Sequence, residues 1–167
     1  MTNAINPVIP SPQPGRQGLA LAGWLMFCFA ASGTAVFVST GGWYSALYKP
    51  PWNPPAWIFG PAWSLLYVMM AVAAWLVWRE GGWKRQRLAL AFFLIQWLLN
   101  ALWTPLFFGI HRSGLAFAEI ILLLLVLSTT LRLFWKASKL ASVLLVPYLA
   151  WITFAATLNC AIWRMNP

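Results

Sequence analysis

The sequence predicts an all-α integral membrane protein, a five-transmembrane-helix bundle, and three observations carry that prediction. Of 167 residues, 62% are hydrophobic and only 8% are charged, against roughly a quarter charged in a soluble domain. Five apolar stretches, residues 18–38, 57–78, 88–108, 113–131 and 140–163, are each long enough to span a hydrocarbon core of about 30 Å, which takes about 20 helical residues. Breaks rich in glycine or cations separate them, at 41–42, 81–82, 109–114 and 136–139. Barrel strands would be shorter and would alternate. Five spans and short loops use nearly the whole chain and leave no room for a second domain.

Residues 1–17 carry Pro7, Pro10, Pro12 and Pro14 without a helical pattern, and are read as a disordered N-terminal tail preceding the transmembrane domain, 18–167. The first apolar run is too long for a signal-peptide core and lacks a cleavage site followed by soluble sequence, so it is read as a retained span. Within it, Ala31, Ala35 and Ser39 make a small-residue face suited to close helix packing. On the second span, Trp63, Tyr67, Met70 and Ala74 follow i, i+4, i+7, i+11 spacing and share one face. Gln96, Asn100, Trp103 and Phe107 do so on the third, and Tyr148, Trp151, Ala155 and Asn159 on the fifth. Together these faces suit a cavity with aromatic walls and a few amides, fit for a flat, largely apolar ligand. Periodicity alone favours the plainer reading, helix packing with interhelical hydrogen bonds. Pro105 and Pro147 are expected to kink their spans and free backbone carbonyls.

Eleven Lys and Arg face two acids, a balance that in a soluble protein would suggest nucleic acid. Here the cations flank apolar runs, so they read as topology signals and headgroup contacts, with no nucleic-acid partner. Arg16, Arg79, Lys84, Arg85, Arg87, Arg132, Lys136 and Lys139 fall on the side of the N-terminus, and Lys49, Arg112 and Arg164 on the other. The positive-inside rule then puts the N-terminus in the cytoplasm, and weakly favours a bacterial inner membrane.

Few residues offer chemistry. The loop from 39 to 56 contains Trp43, Tyr44, Lys49, Trp52, Asn53 and four prolines, which is too much for a mere connector. Its prolines favour a stiff path, either as a lid over a pocket or as part of an aromatic belt. Glu119 is the one acidic or basic residue inside a span. It is a functional candidate by default, although its place near the helix end also suits a solvated or structural role. His111 beside Arg112 has no second His or thiolate nearby in sequence, so no metal site and no catalytic triad is read. Cys28 and Cys160 lie in apolar runs and behave as small hydrophobes.

The stretch Trp43-Tyr44-Ser45-Ala46-Leu47-Tyr48-Lys49-Pro50-Pro51-Trp52-Asn53-Pro54-Pro55-Ala56-Trp57 resembles the first loop of the tryptophan-rich sensory protein family, bacterial relatives of the mitochondrial translocator protein or peripheral benzodiazepine receptor. Asn100-Ala101-Leu102-Trp103-Thr104-Pro105-Leu106-Phe107-Phe108-Gly109, Pro147-Tyr148-Leu149-Ala150-Trp151 and Leu158-Asn159 add to it in the family's order, over about residues 19–166.

The resemblance implies a dimerising five-helix bundle that requires no cofactor and takes porphyrin or haem as ligand. In some members the ligand is cholesterol or a synthetic isoquinoline or benzodiazepine. Trp63 and Trp151 resemble pocket tryptophans that support light- and oxygen-dependent protoporphyrin breakdown in some relatives, and would be the catalytic residues of such an activity. Trp52, Asn53, Asn100, Tyr148, Ala155 and Asn159 match other pocket positions. Trp43, Tyr67, Trp103 and Phe107 are added as ligand-binding candidates, and Lys49 as a propionate contact at the mouth. One departure bears on sterol: the family's cholesterol pattern needs a tyrosine where Cys160 stands, upstream of Arg164, which ranks sterol below porphyrin.

Overall fold

The computed structural model describes residues 14–37 and 42–166. Helix α1 (Pro14–Ala30) tightens into a 3-10 segment, Ala31–Phe37. A short α2 (Gly42–Ala46) and a 3-10 turn, Ala56–Ile58, bracket the proline-rich first loop. Then come α3 (Phe59–Arg79), α4 (Gly82–Thr104), a π turn (Pro105–Gly109), α5 (Ser113–Ala137) and α6 (Lys139–Met165). Among the described residues there is no strand. Four helical stretches, Ala56–Arg79, Gly82–Gly109, Ser113–Ala137 and Lys139–Met165, are long and apolar enough to cross a membrane. Leu65, Leu98, Leu122, Leu125, Val143 and Val146 stand exposed on them. Such a surface is at home against lipid tails, and the chain is an all-α, multi-pass integral membrane protein.

The first apolar run departs from the expected regular span over 18–38. Its α-helix starts earlier, at Pro14, so residues 14–17 are helical instead of tail, and it ends at Ala30. The hydroxyls of Ser32 and Thr34 donate to the carbonyls of Phe29 (2.6 Å) and Ala31 (2.9 Å). Such local bonds compete with the α ladder, and Gly33 between them favours no particular winding. Residues 1–13, Ser39 and the Ala35 side chain lie outside the described residues, and with them the rest of the tail and of the small-residue face.

Regular α3 starts two residues inside the expected 57, after the 3-10 turn, but several other boundaries move outward because cations do not end a helix at a membrane surface, where their long stems reach water. Thus α5 runs on through Arg132 and Lys136 to Ala137, and α4 starts at Gly82, six residues before the expected 88, with one irregular residue at Gln86 (φ −110°, ψ 22°). The α3–α4 corner needs glycine: Gly81 has φ 120°, and a Cβ there would collide with the Arg85 side chain. Pro105 ends regular α winding, as its ring forces out the preceding turn, and the chain widens so that the Ile110 N–H donates to the Pro105 carbonyl at 3.0 Å. Pro147, by contrast, sits inside an α6 that continues for 27 residues.

In the bundle α1 packs on α3, α3 on α4 and α6, and α5 on both α4 and α6. Ala71, Ala73 and Ala74 of α3 are fully buried, which lets neighbouring backbones approach closely. Aromatic side chains pin α1: the Trp75 indole N–H donates to the Gln17 carbonyl (3.1 Å), Trp97 stacks on Phe27 (4.2 Å) and Trp24 meets Phe93 edge-on. At the α5–α6 turn, Ser138 caps α6 by accepting from the Ala141 N–H, and the Ser142 hydroxyl donates back to the Leu131 carbonyl at 2.9 Å.

Candidate ligand-binding site

A cavity of about 750 Å³ lies between α3, α4 and α6, under the first loop. Its wall begins with Trp63 on α3, which stacks on Tyr67 one turn later with ring centroids 5.3 Å apart. Trp151 on α6 faces Trp63 edge-on at 6.5 Å and is itself backed by Phe59 and Phe154. On α4, Trp103 stacks on Phe107 at 5.0 Å. Helical spacing puts these rings on one face of each element, and the packing of α3 on α4 and α6 brings the three faces together around one space.

The amides hold the walls in place. The Tyr67 hydroxyl donates to Asn100 Oδ1 (3.3 Å), joining α3 to α4. Asn159, 1% exposed, accepts from the Trp103 indole N–H (3.1 Å) and donates through Nδ2 to the Ser113 carbonyl (2.8 Å), joining α4, α5 and α6. Both polar atoms of Asn159 are thus already engaged, and it acts on the cavity through Trp103. Among the described residues Trp63 and Trp151 have no indole hydrogen-bond acceptor, so their N–H groups remain donors beside the cavity.

The roof is the first loop. Tyr44, Asn53 and Pro54 line the cavity from above, and the Tyr44 hydroxyl donates to Asn53 Oδ1 at 3.2 Å. Burial pushes the Tyr44 phenol above its ordinary pKa, partly offset by that bond to Asn53, so it stays a neutral donor at physiological pH. Among the described residues, no charged side chain lines the cavity.

Of the candidates read from the sequence, Asn53, Trp63, Tyr67, Asn100, Trp103, Phe107, Trp151, Ala155 and Asn159 line this cavity. Trp43, Lys49, Trp52 and Tyr148 do not. Trp43 stacks on His111 at 4.3 Å and meets Phe107 edge-on from outside the cavity lining. Trp52 is 48% exposed and meets Phe154 edge-on. The Lys49 ammonium folds back on its own loop, donating to the Leu47 and Ser45 carbonyls and lying 4.6 Å from the Tyr44 ring centre. Tyr148 is fully buried behind Trp63. Residues not read from the sequence also line the space: Tyr44, Phe59, Phe108 and Phe154. Phe59 stands one turn before Trp63 and Phe154 one turn after Trp151, so extending each face by a turn would have found both.

Glu119 is not part of the cavity wall, although Ile120 next to it is. Both its carboxyl oxygens are buried without a hydrogen-bond partner. His111 is exposed with φ 56°, and among the described residues no three His, Cys, Asp or Glu side chains cluster as metal ligands.

Comparison with known proteins agrees with this architecture. The family model for the TspO/MBR family matches residues 20–164. The chain is 40% identical to Protein CrtK of Rhodobacter capsulatus over 148 residues, covering 86% of this chain and 91% of that one. It is 38% identical to the tryptophan-rich protein TspO of Chlorobaculum tepidum over 157 residues (91% and 99% covered). Against the human translocator protein the identity is 40% over 126 residues (74% and 75% covered). A multi-pass helical membrane protein matched by the family model over residues 20–164 and by these relatives over 74–91% of its length, the chain belongs to the TspO/MBR family.

Proposed function

We propose that this protein binds a tetrapyrrole, protoporphyrin or haem, in the cavity beneath the first loop, as a membrane sensor or transporter. The cavity itself carries the reading: about 750 Å³, walled by Trp63, Trp103, Trp151 and Tyr67, with no charged side chain among the described residues that line it. That volume falls in the range of about 300–1,000 Å³ usual for small-molecule pockets. Indole faces stack on a flat macrocycle, the indole N–H groups of Trp63 and Trp151 and the Asn100 amide meet its polar atoms, and its carboxylates stay at the roof, where Lys49 reaches them only by leaving the Leu47 and Ser45 carbonyls. The name translocator protein, borne by relatives, fits a carrier role. Sterol ranks below porphyrin, because Cys160 stands at the tyrosine position of the sterol pattern.

The same proposal includes five spans, with α1 and its 3-10 extension as the first. At about 1.5 Å per α residue and 2.0 Å per 3-10 residue they reach roughly 39 Å, enough to cross. The cation distribution puts the N-terminus in the cytoplasm of a bacterial inner membrane, and the protein works as a homodimer.

Titration of the purified protein with protoporphyrin in the dark, followed by tryptophan fluorescence quenching, tests the reading. Saturable binding weakened about tenfold or more in Trp63→Phe and Trp151→Phe is expected. Absence of saturable binding by folded protein would refute it. A second reading, light- and oxygen-dependent porphyrin breakdown, draws on the 6.5 Å contact of Trp63 and Trp151, close enough for electron exchange between the rings. It requires product on illumination, lost in Trp→Phe variants that still bind. A third, proton-coupled transport, draws on the unpartnered carboxyl of Glu119; pH-driven uptake unchanged in Glu119→Gln would dismiss it.

A further inference from the structure

The cavity's roof is fastened by a side chain from the far end of α6. Asn166 Oδ1 accepts the Tyr48 backbone N–H at 3.0 Å, and its Nδ2 donates to the Tyr48 carbonyl at 3.0 Å. The amide thus pairs with both backbone groups of one loop residue, as an adjacent strand would. A further bond from Nδ2 to the Ile162 carbonyl (2.8 Å) holds the amide against the last turn of α6. Tyr48 itself is 72% exposed, so at this residue the tie to α6 is made by the backbone pair and not by side-chain packing. The loop's other described ties to the body are packing contacts: Trp43, Tyr44 and Leu47 lie against Phe107 and its buried neighbours, Trp43 stacks on His111 at 4.3 Å, and Trp52 meets Phe154 edge-on. Inside the loop, the Tyr44–Asn53 bond and the Lys49 bonds to Leu47 and Ser45 make the roof a stiff unit, braced further by Pro50, Pro51, Pro54 and Pro55.

We infer that Asn166 is a latch: release of Tyr48 frees the stiff roof to lift from the cavity, and remaking the pair shuts it. Asn166 does not line the cavity. It therefore sets how fast a ligand passes the roof, and leaves the equilibrium affinity nearly unchanged. The ligand's identity rests on the proposed function; the latch itself does not.

Cysteine labelling separates the two. Ala155, on the cavity wall, is replaced by Cys, and modification of position 155 by N-ethylmaleimide is timed by peptide mass spectrometry in the full-length protein in detergent. Adding Asn166→Ala removes two loop-to-helix hydrogen bonds and is expected to speed labelling about tenfold. Asn166→Asp, which keeps the acceptor for the Tyr48 N–H, is expected to fall between. Amide exchange across residues 44–53 should rise in Asn166→Ala while α3, α5 and the body of α6 keep their protection, which also verifies the fold. Protoporphyrin should then associate and dissociate several-fold faster, with its dissociation constant changed less than threefold. Unchanged labelling in Asn166→Ala, no labelling in either protein, or unchanged exchange over 44–53 would each overturn the latch. Failure of porphyrin to bind at all, with labelling still accelerated, would leave the latch standing and remove the proposed ligand.

Discussion

Asn159 ties three helices together, and its replacement measures what the cavity's scaffold is worth. Asn159→Leu keeps the volume roughly constant and removes both the acceptor for the Trp103 indole N–H (3.1 Å) and the donor to the Ser113 carbonyl (2.8 Å). At 1% exposure no water replaces either partner. Interhelical hydrogen bonds in membrane proteins average about 0.6 kcal/mol and reach about 1.7, so the two together predict a loss of roughly 1–3 kcal/mol. Unfolding in mixed detergent micelles, followed by far-ultraviolet circular dichroism, gives that value. A double-mutant cycle with Trp103→Phe isolates the single bond, since phenylalanine keeps a ring against Phe107 and drops the N–H. A coupling of about 0.5–1.7 kcal/mol is expected. Coupling below about 0.3 kcal/mol, within the error of such cycles, would refute the claim that Asn159 holds Trp103 in place.

Ala155→Trp puts a large ring into the cavity, where space is available; protoporphyrin affinity should fall by more than tenfold while the unfolding midpoint stays near that of the parent, and retained affinity would move the ligand elsewhere. Gly81→Ala should cost about 1–3 kcal/mol, because φ 120° is strained for any side chain and the new Cβ meets Arg85. Thermal unfolding checks it, and a neutral result would mean the α3–α4 corner relaxes freely.

How much of this was legible in advance varies with the kind of constraint. The all-α membrane architecture follows from composition and run length, because a backbone in hydrocarbon has to bond within its own segment. The faces carrying Trp63, Tyr67, Asn100, Trp103, Trp151 and Asn159 follow from the 3.6-residue period, which acts on each helix by itself. Boundaries were less legible: Arg132 and Lys136 end an apolar run without ending α5, and the hydroxyls of Ser32 and Thr34 bond locally where an otherwise apolar, uncharged run changes its winding.

Periodicity cannot say which faces meet, and that was the tertiary structure's decision. The packing of α3 on α4 and α6 turned three separate stripes into one cavity, and left Tyr148 of the same α6 stripe buried behind Trp63, where the helices close up. The first loop is the clearest case. Its composition marked it as more than a connector, yet only the folded chain sends Tyr44 and Asn53 inward, stacks Trp43 on His111, turns Lys49 onto its own carbonyls and brings Asn166 to Tyr48 across 118 positions. A residue's type and local spacing fix what it is able to contact; distance along the chain carries no record of which partner the packing of the helices will deliver to it.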